Sequence, residues 1–259
     1  MKRSESRATC AVRHALHSCR QIQSIPKNLC NNNWLPPFLV TLSSDIRAFH
    51  ASGKQAVLAI TGGGSAAISR LLSVPGGSRS VLEAIVPYAN ASLAEWLKRE
   101  PDHYCSADTA LMMASVAWQR AAKLAGDRHN VIGLSCTASL ASDQPKRGTH
   151  RVWIATQTSQ QTRLTQLTLS KGARTRAQEE ELSADLALNA LFAAAGLDKA
   201  PLSLVDNEAI SEQVIEPDTA IRAVWTGERS HVWSLAGGQI ADSVANKPVG
   251  LDRKSTRLN

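Results

Sequence analysis

The chain has 259 residues, enough to bury one sizeable core, with 43% hydrophobic and 20% charged residues, which is ordinary for a globular protein. No apolar run approaches the roughly 20 residues needed to cross a bilayer, so a membrane-spanning role is not expected. The net charge of +7 sits at the ends, +5 within residues 1–41 and +2 within residues 252–259; the neutral body lacks the basic stripe of a nucleic-acid surface.

Residues 1–41 are basic and poor in acids but contain no apolar stretch of about 7–15 residues, as a secretory signal would. "NNNWLPP" interrupts any helix there, and the segment reads as an extension that does not fold or as an upstream start. Cys10, His14, His17 and Cys19 lie close together in it, yet their spacing fits no zinc pattern, and no metal is expected. Cys105 and Cys136 read as buried thiols of a reducing compartment, which places the chain in the cytoplasm.

From residue 42 the pattern is regular. "SSDIRAFHASGK" predicts a short helix ending near Gly53. "AVLAI" (56–60) is a short apolar run closed by a turn signal, hence a buried strand. Residues 65–73 predict a helix stopped by Pro75, whereas "SVLEAIVPY" is compatible with strand or helix. A helix capped by Ser106 and ended by Gly126 carries Leu111, Ala114, Trp118 and Ala121 on one face. Strands are expected at 131–137, 150–156 and 163–170. A last helix follows Thr175, with Gln178 placed for a capping box and Gly196 as terminator. This alternation predicts a three-layer α/β/α fold on a largely parallel or mixed sheet. Residues 197–251 read as an irregular connector with a small hairpin near "HVWSLAGGQIA".

"VLAITGGGSAAISRLL" runs from strand to glycines to helix. That arrangement aims free amides and a helix N-terminus at an anion, and Gly62, Gly63 and Gly64 have no Cβ to hold a phosphate away. It is neither a Walker loop nor a G-x-G-x-x-G loop. Thr61 and Ser65 flank it with hydroxyls that suit hydrogen bonding better than attack. Lys146, Arg147 and Arg174 have donors for a phosphate. Tyr88 and Asn90 are ligand candidates, against an alternative in which Asn90 caps a helix and Tyr88 is packed. Cys136 in "SCT" reads as a core residue. The expected site has Gly62, Gly63, Gly64 and Ser65 facing a pocket reached by Tyr88 or Asn90 and by Thr137 or Lys146.

In this order the motifs resemble the C-terminal domain of the CinA family, the nicotinamide-nucleotide amidohydrolases. Thr61-Gly62-Gly63 looks like the end of the family's Ser-Cys-Thr-Gly-Gly, Pro75-Gly76-Gly77-Ser78 like its Pro-Gly-Ser turn, and Tyr88-Ala89-Asn90 like its Tyr-Ser-Asn. Ser135-Cys136-Thr137-Ala138-Ser139 is similar to its second loop, Lys146-Arg147-Gly148 to its Lys-Pro-x-Gly element, and Gly172-Ala173-Arg174 to its Gly-x-Arg. The likeness covers residues 42–196. It implies a ligand like nicotinamide mononucleotide and no cofactor, and permits a homo-oligomer.

Two departures bear on activity. The family's nucleophilic serine falls at Ala59 or Ile60, and its lysine at Leu93. An amidase needs a nucleophile and a group to take its proton, so the resemblance implies a nucleotide-binding domain without the catalytic pair. The alternatives are an active deamidase using Thr61 or Ser65, or a non-catalytic module of a truncated nucleotidyltransferase. In the branch with Ile-Thr-Gly-Gly-Gly a cytidylyltransferase-like domain commonly follows. Val249-Gly250-Leu251 looks like the start of such a domain, while 252–259 resembles translated adapter sequence and is expected to be non-native.

Overall fold

The structure, a computed structural model, describes residues 37–144, 147–234 and 240–241. The cysteine and histidine cluster of residues 10–19, Lys146 and the 252–259 tail lie outside them. By packing, the chain divides into two units, Met1–Thr41 and Leu42–Asn259. The second contains the whole of the sheet.

Six strands form one mixed sheet in the order β2-β1-β3-β4-β5-β6. They are β1 (Gln55–Thr61), β2 (Val81–Ile85), β3 (Val131–Ser139), β4 (His150–Gln157), β5 (Thr162–Leu169) and β6 (Ala209–Ile215). β2, β1 and β3 run parallel, and β3 to β6 pair antiparallel. The helices are α1 (Pro37–Ala51), α2 (Ala66–Ser73), α3 (Asn90–Leu97), α4 (Ala107–Ala125), α5 (Arg176–Ala194) and α6 (Thr219–Thr226). The α/β/α layering is the one the sequence predicts.

β1 shows why two helical layers are needed. Side chains on a strand alternate between faces. Ala56, Leu58 and Ile60 join one cluster with Phe49 of α1, Leu71 of α2 and Leu188 of α5, whereas Val57 joins Trp118 of α4 and Ala59 joins Leu93 of α3. An apolar run without polar alternation is therefore covered on both sides, as parallel strands require. α4 lies close on β3: a Cβ on Gly133 would stand 2.3 Å from both the Ala114 carbonyl and the Trp118 amide. Ser135 Oγ donates to the Ala110 carbonyl at 2.7 Å, which satisfies a hydroxyl buried in that interface.

Local capping signals set the helix ends. Ser106 accepts from the Thr109 amide ahead of α4, and Gly126 ends it at φ 66°. Thr175 and Gln178 form a reciprocal capping box on α5. Residues 81–85, ambiguous in sequence, are strand β2 because β1 offers them a parallel partner.

Two expectations are corrected. The first helix begins at Pro37 instead of near Ser43, since proline is tolerated in a first turn, where its missing N–H is not needed. The described residues between 197 and 241 form more than a connector. β6 pairs with β5 along its length, from Thr162↔Ile215 to Thr168↔Ala209, although its side chains remain largely exposed. Trp225 of α6 lies 6.2 Å from Trp118, ring centre to ring centre. The expected hairpin pairs as Trp233↔Ala241 and Ser234↔Ile240 (β7, Trp233–Ser234; β8, Ile240–Ala241).

Among the described residues no helix is long and apolar enough to cross a membrane, and no three metal-ligating side chains converge.

Candidate functional site

β1 connects through α2 to β2 on one side, and β3 lies on its other side. The C-terminal ends of β1 and β3 thus border a point where the strand order reverses, the place where open α/β sheets leave a crevice. Two cavities open there, of about 220 and 430 Å³. They share Thr61, Gly62, Tyr88 and Arg176 and so form two lobes of one cleft. The smaller lobe adds Asn90, Leu93, Tyr104, Cys105 and Thr137, and the larger adds Ser65, Val86, Ala177 and Glu180.

The glycine loop sits where the sequence places it, between β1 and α2 and beside the cleft. The reason for its glycines is different. A Cβ on Gly62 would stand 2.0 Å from the Ala138 carbonyl oxygen, one on Gly63 would meet Leu140 at 2.4 Å, and one on Gly64 would meet Cys136 Sγ at 3.2 Å. The missing side chains point into protein, against the end of β3, and Gly62 and Gly64 also need positive φ, 75° and 86°.

The amides expected to await a phosphate already have an anion. Glu180 of α5 accepts from the Gly64 amide at 2.8 Å, from Ser65 Oγ at 2.7 Å and, at 3.4 Å, from the Ala66 amide. Burial raises the Glu180 pKa, but the bonds from the Ser65 hydroxyl and the amides of Gly64, Ser65 and Ala66 outweigh it and hold the carboxyl below its ordinary value. Such a group is a weak base, so Ser65 has a partner that does not activate it.

Thr61 is 8% exposed, and its hydroxyl makes no hydrogen bond among the described residues. Asn90 is the first residue of α3, whose cap is Ala89. Its amide therefore does not cap the helix, and it lines the smaller lobe. Tyr88 is 67% exposed on the rim of both lobes, not packed away. Thr137 Oγ1 donates to the Tyr104 carbonyl at 2.6 Å. Arg174 is not brought to the cleft: it pairs with the buried Glu208 and donates to the Ser203 carbonyl at 2.7 Å, fixing the approach to β6. Among the described residues the cation lining the cleft is Arg176, which nothing in the sequence pattern singles out beyond its place in the first turn of α5. Its two Nη groups donate to the Ala141 and Gly62 carbonyls at 3.1 and 2.9 Å.

Another side chain of the first turn of α5 ties down the chain that follows β3. Buried Glu179 accepts from the Ala141 amide at 2.6 Å and pairs with His150 Nδ1 at 2.8 Å. Elsewhere a serine–histidine pair exists, but it is closed. His50 Nε2 donates to the Leu71 carbonyl, so Nδ1 accepts from Ser80 Oγ at 2.5 Å, and both residues are shut from solvent at 2% and 1% exposure. They fasten the turn before β2 to α1.

Ala59 and Ile60 are fully buried. Leu93 is 2% exposed and belongs with Ala59 to one apolar cluster that also holds Leu97 and Met113.

The fold and cleft define an α/β domain with a crevice at the carboxyl ends of its parallel strands. Residues 48–194 match the family model of the CinA C-terminal domain, and the chain belongs to that family. No curated protein matches it. Among solved structures it is similar to the competence/damage-inducible protein CihA from Agrobacterium tumefaciens, at 21% identity and TM-score 0.47, over 62% of this chain and 98% of that one. A CinA-superfamily protein from Escherichia coli shares 18% identity at TM-score 0.49, over 61% and 91%. One from Klebsiella pneumoniae shares 16% at TM-score 0.49, over 61% and 98%.

Proposed function

We propose that this CinA-family domain binds a phosphate-bearing pyridine nucleotide of the nicotinamide mononucleotide class in the two-lobed cleft and does not hydrolyse its amide. One observation carries the second half. The position at which the family resemblance puts a serine holds Ala59 or Ile60, and the one at which it puts a lysine holds Leu93, all three of them buried and apolar. None of these side chains attacks a carbonyl or moves a proton. The first half is supported by the cleft itself: uncharged polar groups of Thr61, Asn90 and Thr137 on one side and a guanidinium at the rim suit a ligand with a neutral amide and an anionic group.

The test is a calorimetric titration of the full chain with nicotinamide mononucleotide, paired with an ammonia assay. Binding without ammonia release is expected. Turnover at an ordinary enzymatic rate would favour the deamidase reading, which one observation keeps alive: the Thr61 hydroxyl inside the cleft, without a partner among the described residues.

A further inference from the structure

A strand–glycine–helix junction is the usual place for a ligand's phosphate. Here the donors of that junction are directed at the chain's own carboxylate. Glu180 takes the Gly64 amide, the Ser65 hydroxyl and the Ala66 amide, an arrangement an oxyanion would otherwise occupy. A second anion brought to the loop would lose these donors to Glu180 and be repelled by its charge. Four residues earlier on the same helix, Arg176 faces both lobes and spends two of its N–H groups on backbone carbonyls, which leaves the rest of a five-donor fork for a ligand. The cleft beside it has room, and Thr61 on its wall carries a hydroxyl that makes no hydrogen bond among the described residues.

We propose that Glu180 is a resident anion that masks the glycine loop, and that the anionic group of an incoming ligand is bound by Arg176 at the junction of the two lobes. The proposal rests on the nucleotide-binding reading for the identity of the ligand, but not for the division of roles between Glu180 and Arg176. It makes Arg176 the residue that distinguishes a phosphorylated ligand from its dephosphorylated counterpart, and it makes Glu180 the reason the loop does not.

The experiment is a titration of the isotopically labelled full chain with inorganic phosphate, following the amide signals of Gly62, Gly64 and Ala66 and the Arg176 Nε–H by NMR. In the parent chain Arg176 and Gly62 respond, and Gly64 and Ala66 do not. Arg176→Gln abolishes the response at Gly62. Glu180→Ala unmasks the loop, and Gly64 and Ala66 now move with phosphate. The proposal is overturned if phosphate moves Gly64 and Ala66 in the parent, if Arg176 and Gly62 do not respond in the parent, if Arg176→Gln responds like the parent, or if Glu180→Ala leaves the loop silent. A calorimetric arm compares nicotinamide mononucleotide with nicotinamide riboside. Arg176→Gln weakens the nucleotide about tenfold, the scale of one charge-assisted hydrogen bond, and leaves the riboside unchanged. If neither compound binds while the phosphate responses are as expected, the nucleotide reading falls and the masking by Glu180 stands.

Discussion

Ala59 at the end of β1 and Leu93 in α3 lie in one buried apolar cluster, at 0% and 2% exposure, although a helix, a turn and a strand separate them in the chain. With the family's serine matched to Ala59, the two departures from the family pattern form one apolar floor beneath the smaller lobe; matched to Ile60, which lines the larger lobe, they fall in two clusters. We expect no release of ammonia from nicotinamide mononucleotide above background, because removing members of a nucleophile–base set costs roughly 10⁴–10⁶ in rate. Thr61→Val and Ser65→Ala should leave that background unchanged. A parent rate of about 1–10³ s⁻¹ that either variant abolished would show that a flanking hydroxyl had taken over.

Glu180 should link stability to pH. A carboxyl whose folded pKa is depressed adds stability that is fully present above its unfolded value and is lost as pH falls through the folded value. Glu180→Gln is therefore less stable than the parent at neutral pH. The gap should close as pH drops below about 4.3, the ordinary glutamate range. Urea titrations of both proteins across that range give the measurement, and a gap that stayed constant would show that the ionised carboxylate is not what the loop holds.

Gly133 is a packing requirement and not a turn. Its substitution by alanine puts a methyl group 2.3 Å from backbone atoms of α4, so helix and strand must separate. A loss of at least about 1–3 kcal/mol is expected, as for other overpacked cores. Gly148, with nothing within 4 Å of its Cβ position, serves as the control whose alanine variant should melt close to the parent. Thermal unfolding of the two variants separates the cases.

The thiols should differ in reactivity. Cys105 lines the smaller lobe and is partly exposed, whereas Cys136 is fully buried, donates to the Gly63 carbonyl at 3.3 Å, and has its pKa pushed far up by burial. Since the thiolate is the reactive form, brief alkylation followed by peptide mass mapping should find Cys105 modified and Cys136 intact. Labelling of Cys136 at a comparable rate would mean that the loop over β3 opens in solution.

The sequence alone determined the α/β layering, the burial of β1, the caps at Ser106, Gly126 and Thr175 and the position of the glycine loop, because each depends on residues within a turn or two of one another. Apolar period, cap chemistry and positive-φ glycines are local properties. Tertiary structure alone decided what the loop binds. Glu180 in a helical sequence rich in glutamate looks like one charge of a solvated face, and its bond to Gly64 spans 116 positions of the chain. Arg174 and Arg176 are indistinguishable as donors in sequence. The helix cap between them turns the first toward Glu208 and the second toward the cleft. The pairing of β6 was hidden for the same reason: the stretch contains short strand-like pieces, but its partner β5 lies beyond the whole of α5 and no local pattern records that partnership.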